Sequence, residues 1–541
     1  MSWLPIAMLA VPLVGAAVLL LPGFAGRTPR RYGLAVSGVT LALAVVLAAT
    51  FDYGHAARMQ FETDLSWIPG LALRFHLGVD GVSLPLVVLT ALLTFLCFVH
   101  LAGRPSRRPR ALVFTLLVLE TGVIGTFLAL DLLLFFVFFE VVLVPMYFVI
   151  AVWGGPGRRA AAVKFILYTL LGSAVMLLGL LVVWAQAGTL DMVALAQGHG
   201  IARSAQIVAF LAIGVGLAVK APMWPLHTWL PDAHTEAPTV GSVLLAGVLL
   251  KMGTYGFARI AIPILPEGAA ALAPWLGAFA VIGIVYGSLA CLAQRDLKRM
   301  IAYSSVGHMG FVLLGFATLT PVGVNAALFG NVAHGLITGL LFFIAGAVKD
   351  RYGTADMARL GGGMLSRLPY IGSLLTFACV ASLGLPGLAG FWGEMLALFG
   401  AFRPAAELSR PLFLVFMVIG GVGTVLTAAY FLRMLSRVTH GSPAVPEGPP
   451  VTSAEEVREV LGGEGPVEPV ATGTVVAAVA APGAPGFGGL GEPPERRDVT
   501  AYELAAWVPL VVLILIFGLW PKALLATTTP AVQAILRGVG A

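Results

Sequence analysis

The sequence predicts an all-α polytopic membrane protein of about fourteen transmembrane helices, and three observations lead there. Of 541 residues, 59% are hydrophobic and only 11% charged, with a mean hydropathy of +0.96, far more apolar than a soluble domain. Apolar runs of about 20 residues, the length that crosses a bilayer core, recur along nearly the whole chain. Those runs do not alternate apolar with polar residues, which excludes a transmembrane β-barrel.

Taken in order, the spans fall at 3–22, 32–50, 82–102, 111–130, 132–152, 163–186, 205–229, 239–262, 273–293, 299–318, 324–347, 370–400, 411–436 and 502–520. No small-residue cleavage site follows the first, so it reads as a retained helix rather than a signal peptide. Lys and Arg in the connections set orientation. The odd-numbered loops hold 22 of them, against five in the even-numbered loops (Arg58, Arg74, Arg203, Arg403 and Arg410). Odd loops are therefore expected at the cytoplasmic face of a bacterial plasma membrane, with both termini on the periplasmic side. The net charge of +6 is this bias, and no basic and aromatic stripe suggests nucleic acid.

The chain divides into 1–110 (three helices), 111–262 (helices four to eight), 273–438 (helices nine to thirteen), a Gly/Pro-rich cytoplasmic loop at 439–500, and 501–541 (the last helix and a C-terminal tail). In the loop, Ser453 and Glu456 could cap a short helix at 454–461. The seventh span breaks at "KAPMWP" and the twelfth at "SLGLPGLAG", five spans later. Paired Gly/Pro interruptions in two halves point to inverted repeats with a site at the membrane midplane. An odd number of spans would set 111–262 and 273–438 upside down to one another.

Titratable residues cluster around those breaks. Only six of the 32 basic residues are lysine, yet two of the six, Lys220 and Lys251, sit inside spans. Arginine does not give up its proton in a protein, whereas a desolvated lysine does. Glu140, in "FFVFFEVVLVPMYF", is the matching acid; a lone carboxylate in hydrocarbon needs a partner or a proton. If Glu140 pairs with Lys220, the lysine stays charged; if the pair opens, the lysine releases its proton. Lys251 is the next station. His308 and His334 suit a relay, because imidazole donates and accepts at once, and Glu394 follows the second break as Lys220 precedes the first. Glu120 and Asp131 read as packing residues.

Other chemistry is excluded or disfavoured. Cys97, Cys291 and Cys379 stand alone in apolar spans and read as small buried hydrophobes. No metal, haem, iron–sulfur or phosphate-loop motif is present, so no cofactor is expected in this chain. His227, Asp232, His234 and Glu236 in "LHTWLPDAHTE" lack zinc-ligand spacing and read as a capped cytoplasmic loop.

The blocks "GVDGVSLPLVVLT" (78–90), "FFEVVLVPMYFVIAVWGG" (138–155), "KAPMWPLHTWLPDAHTEAPTVGSVLLAGVLLKMGTYG" (220–256), "DLKRMIAYSSVGHMGF" (296–311) and "LGLPGLAGFWGEM" (383–395) resemble the antiporter-like proton-translocating subunits of respiratory complex I. They lie closest to the chain M branch, and the likeness covers nearly everything except 441–499. The resemblance implies fourteen core helices in two inverted five-helix repeats, with helices seven and twelve broken. It further implies proton movement while FMN, iron–sulfur clusters and quinone work in partner subunits, among them the sister chains L and N. Matched by motif, Glu140 and Lys220 correspond to the coupling pair, Lys251 to the central lysine, and His308 and His334 to relay positions. Glu394 corresponds to the terminal acid, where sister subunits have lysine. The alternative is a subunit of a multisubunit Na⁺/H⁺ antiporter of the Mrp type, which shares the fold. A third reading, a scaffold whose charges only lock helices, predicts that Lys220→Arg leaves function intact.

Overall fold

A computed structural model of the chain describes residues 1–23, 28–68, 70, 73–198, 200–441 and 498–539. The helix expected at 454–461 and most of the loop at 439–500 lie outside the described residues.

Apolar sequence in a bilayer must satisfy its backbone internally, which leaves the helix as the spanning form here. Among the described residues, twelve helices are long and apolar enough to cross: Thr28–Thr50, Ser83–Ala102, Pro109–Leu128, Leu132–Trp153, Arg158–Ala187, Arg203–Lys220, Thr239–Ile264, Pro266–Ala293, Leu297–Ala317, Pro321–Tyr352, Arg410–Val438 and Ala501–Leu519. Trp3–Val18, Pro369–Ser382 and Ala389–Phe402 are shorter apolar helices. Thr239–Ile264 is buried from Val240 onward and Pro321–Tyr352 nearly throughout, whereas Thr28–Thr50 and Arg410–Val438 bury only a minority of their residues. The core thus lies between the 239–264 and 321–352 helices, and the outer helices turn apolar residues such as Leu171 and Val425 outward.

Prolines place the breaks. The seventh expected span does not run through to 229: its helix ends at Lys220, because Pro222 disfavours helical backbone at Ala221. The freed carbonyl of Val219 accepts from the Trp229 indole at 3.0 Å. Helix resumes at Trp229–Glu236, so "LHTWLPDAHTE" is largely helical rather than a capped loop. Pro231 falls in its first turn, where the missing N–H costs nothing. The twelfth expected span is interrupted between Ser382 and Ala389, where Gly384 and Gly387 adopt φ of 80° and 95°, a region that favours glycine.

Two elements lie outside the expected spans. Gln60–Ile68 and Leu73–Val79 pair as an antiparallel hairpin, and Lys522–Ile535 is a fourteen-residue helix where a tail is expected. The hairpin extends inward: Leu130 N donates to His76 O at 2.9 Å, and Met192 N to Leu130 O at 2.8 Å. Three connections are thereby tied together on one face. On the opposite face, Arg104, Arg107, Arg158, Lys298 and Lys349 all line one vestibule of about 640 Å³, so these basic connections also share a side. Glu503, almost fully buried, holds Arg104 and Arg351 there at 2.7 Å each.

His76 anchors the hairpin between two carboxylates, with Nδ1 3.1 Å from Asp191 and Nε2 3.2 Å from Glu62. Burial favours the neutral ring, but the bonds to Asp191 and Glu62 outweigh it and raise the His76 pKa. Burial likewise opposes ionisation of Asp191, yet the bond from His76 leaves its pKa lowered. A raised histidine pKa contributes stability that is fully present below about 6.5, the ordinary imidazole value, and is lost as pH rises through the higher folded-state value. Amide exchange at the hairpin, corrected for intrinsic rate, is expected to quicken over that interval. His76→Gln should remove the step; an identical step in the variant would contradict the assignment.

Candidate functional site

Lys251, His334, His308 and Glu394 form one connected cluster at the heart of the bundle. Lys251 is completely buried; its Nζ lies 2.6 Å from His334 Nδ1 and donates to Ala246 O at 2.5 Å. Ala246 belongs to the π-helical turn Leu245–Leu249, a geometry frequent at functional sites. His334, on Pro321–Tyr352, faces His308 with ring centroids 5.8 Å apart. His308 Nδ1 lies 3.0 Å from Glu394 Oε1 and its Nε2 2.9 Å from Ser382 Oγ.

Local sequence explains this approach. The Ala389–Phe402 and Pro321–Tyr352 helices touch at Gly393 and Gly330, where a Cβ on Gly393 would come within 2.9 Å of Gly330 Cα. Small residues at such crossings let backbones close up. The break at Gly384 places its backbone beside Glu394, since a Cβ there would stand 3.1 Å from Glu394 Oε2. A cavity of about 30 Å³ lies among His308, His334, Thr338, Ser382 and Glu394, large enough for a bridging water. His334 Nε2 and Glu394 Oε2, both without a partner, are the groups such a water would satisfy.

The structure does not bring Glu140 and Lys220 into a salt bridge. Lys220 Nζ has no hydrogen-bond partner and stands 4.7 Å from the centroid of the Phe139 ring; Glu140 Oε1 is likewise unpartnered. Lys220 ends its helix, where the backbone dipole favours a cation. Glu140 precedes a local break at Val142, and Pro145 withholds the amide that would bond the Val141 carbonyl. Next to Lys220, the broken segment touches the Lys251 helix: a Cβ on Gly253 would fall 2.6 Å from Leu217 O and 2.8 Å from Ala221 N.

His234, expected in a capped loop, and Lys298, expected in a connection, are further buried titratable groups. His234 is fully buried, stacked on Phe342 at 4.5 Å, with neither ring nitrogen bonded. It lies within electrostatic reach of both Lys298 and Lys251. Lys298 is buried, donates to Ala237 O at 2.7 Å and lines the arginine-rich vestibule. Neither residue lies in an apolar run as Lys251 does: His234 sits in "PDAHTE" and Lys298 in "RDLKRM", so only the fold reveals their burial. Asp232 instead binds Lys164 at 2.7 Å and Arg299 at 3.1 Å, and Glu236 accepts from Gly157 N at 2.8 Å. His227 packs on Tyr286 with ring centroids 5.0 Å apart, so His227, Asp232, His234 and Glu236 do not share a partner. Asp131 caps the Leu132–Trp153 helix through Leu133 N and Leu134 N. Glu120 is buried with both oxygens unpartnered.

Comparison with known proteins places this geometry. Residues 129–427 match the family model described as NADH:quinone oxidoreductase/Mrp antiporter, TM. NADH-quinone oxidoreductase subunit M of Rhodobacter capsulatus is 37% identical, over 97% of this chain and 95% of the relative. An NAD(P)H-quinone oxidoreductase chain 4 of Synechococcus sp. is 42% identical, over 81% and 83%. Among solved structures, a chain of respiratory complex I from Thermus thermophilus matches with a TM-score of 0.81 at 27% identity, covering 99% of this chain and 100% of that one. A chain of the Mrp complex from Dietzia sp. matches at 0.78 and 23% identity, covering 99% of each.

Proposed function

Because the chain belongs to the NADH:quinone oxidoreductase/Mrp antiporter membrane family, aligning along nearly its whole length with subunit M, we propose that it moves protons in the membrane arm of an NADH:quinone oxidoreductase. It does so without redox chemistry of its own. The carrying observation is the 2.6 Å contact between Lys251 Nζ and His334 Nδ1, which joins a lysine of 111–262 to a histidine of 273–438. A neutral lysine can take a proton and a histidine can pass one on.

A proton enters from the vestibule, passes Lys298 and His234 to Lys251, crosses to His334 and His308, and leaves from Glu394. Opening of the Glu140–Lys220 pair sets when Lys251 can be charged, since an unpaired, desolvated Lys220 releases its proton and no longer repels a cation nearby. The vestibule side is the cytoplasmic one by its Arg and Lys, which puts both termini on the periplasmic side. Flavin, iron–sulfur clusters and quinone belong to partner subunits, and the sister chains L and N are the expected neighbours.

Inverted repeats are supported by a recurring device. Asp131 and Asp191 pair across a β-bridge, as do Asp296 and Asp356. The partners are sixty residues apart in both (131 to 191, 296 to 356), and each aspartate caps a helix. The first pair lies on the hairpin face and the second follows the arginine-rich connections. Counting Trp3–Val18 as one crossing and Pro369–Ser382 with Ala389–Phe402 as one broken crossing, this reading gives fourteen.

NADH-driven proton uptake in sealed vesicles tests the function, with native gels to establish assembly. Lys220→Arg and Glu140→Gln are expected to assemble and to pump at no more than about a tenth of the wild-type rate. Normal pumping by both would leave these charges a structural role only. Copurification with small antiporter subunits instead of flavin and iron–sulfur subunits would favour an Mrp-type assembly.

A further inference from the structure

We propose that Arg259, held by Asp80 and Tyr255, is an electrostatic barrier that closes the 111–262 half toward the hairpin face, so that a proton on Lys251 reaches that face only by way of His334. The proposal rests on the relay described above and adds to it the reason the relay does not leak.

Lys251, Tyr255 and Arg259 follow one another at four-residue steps along Thr239–Ile264. The helix begins beside Lys298, at the vestibule, and its far end meets Asp80, which follows the hairpin and precedes Ser83–Ala102. Arg259 therefore stands between Lys251 and the hairpin face. It lies in a second π-helical turn, Phe257–Ala261. The first such turn supplies the Ala246 carbonyl to Lys251; the second has no part in the relay, and π turns, rare overall, are frequent at functional sites.

The groups of the cluster bind one another and the adjoining backbone. The Arg259 guanidinium bonds Asp80, and its Nε donates to Tyr255 Oη at 3.1 Å. Tyr255 Oη donates to Phe127 O at 3.0 Å. Asp80 Oδ1 also accepts from Val82 N and Ser83 N, both at 3.0 Å, capping the next helix. Arg259, Asp80 and Tyr255 are all buried. A proton wire needs groups that can take a proton and turn. Arginine does not release its proton, and a fixed buried cation repels an arriving one, as an arginine does in proton-excluding pores. The placement is specific, because a titratable group at 259 would connect Lys251 to the hairpin face and short-circuit the pump.

The test uses the assembled complex in membrane vesicles without NADH, measuring passive proton leak after an acid pulse with the potential clamped by potassium and valinomycin. Arg259→Gln is expected to raise the leak by about tenfold or more. The double variant Arg259→Gln/Lys251→Met should return it to the wild-type level, because the leak would pass through Lys251. An assembled Arg259→Gln as tight as wild type, or a leak that persists in the double variant, overturns the barrier. Should Arg259→Gln not assemble, Asp80→Asn/Arg259→Gln removes both charges together. Tight vesicles from that variant, or its failure to assemble, make the cluster a structural lock and likewise overturn the proposal. Lys251→Met alone reads the relay: normal NADH-driven pumping there would refute the relay, whatever the leak shows.

Discussion

Lys251→Met is expected to lower NADH-driven pumping roughly 100-fold, the range lost when a positioned proton-transfer group is removed. The side chain is completely buried, so methionine fills nearly the same space and keeps the helix packed. What disappears is the ammonium that lies 2.6 Å from His334 and donates to the π-turn carbonyl of Ala246. No second bond from the Thr239–Ile264 helix to His334 accompanies it among the described residues, and the neighbouring link, Thr254 Oγ1 to Asn331 Oδ1 at 2.9 Å, carries no titratable group. Dye-quenching assays on vesicles with matched complex content read the loss. Pumping within about twofold of wild type would mean that protons cross between the halves elsewhere.

Glu394→Gln is the second large effect, again roughly 100-fold. Glutamine keeps the volume and can still bond His308, whose Nδ1 is 3.0 Å from the present carboxyl oxygen. It cannot take a proton from the imidazole, so the relay would stop one step before release. Glu394→Asp is expected to retain part of the rate, because it can titrate but shortens the reach to His308. An active Glu394→Gln alongside an inactive His308→Ala would place the exit on Ser382 or the cavity water rather than on the acid.

Much of this architecture is legible in the residues, and the parts that are not share a cause. The breaks near Lys220 and Glu394 follow from Pro222, Pro225, Gly384 and Gly387, whose backbone limits are local. Burial of Lys251 follows from a charge inside an apolar run. The missing Glu140–Lys220 salt bridge is different: a few ångströms between two helices are set by the packing of Phe139 and its neighbours, not by depth along either span. The hairpin at 60–79 reads as a connection when only apolar length is scored, although "FETDLSWI" before Pro69-Gly70 carries a strand pattern. Lys522–Ile535 escaped because it is amphipathic, with Thr528 turned inward to Asn325 at 2.7 Å. The burial of His234 is not visible in the sequence because its neighbours in "PDAHTE" resemble a polar loop, and only the fold stacks it on Phe342. Arg259 and Asp80 stand 179 residues apart, and neither announces the other.

The central claim is that Lys251 works by giving up its proton, and the ratio of protons pumped per NADH oxidised in reconstituted vesicles carrying Lys251→Arg tests it most directly. Arginine keeps the positive charge and can donate to His334 and Ala246, but it does not deprotonate. The account predicts that assembled Lys251→Arg loses pumping as fully as Lys251→Met. A wild-type ratio in the arginine variant would show that a fixed charge suffices and would contradict the relay.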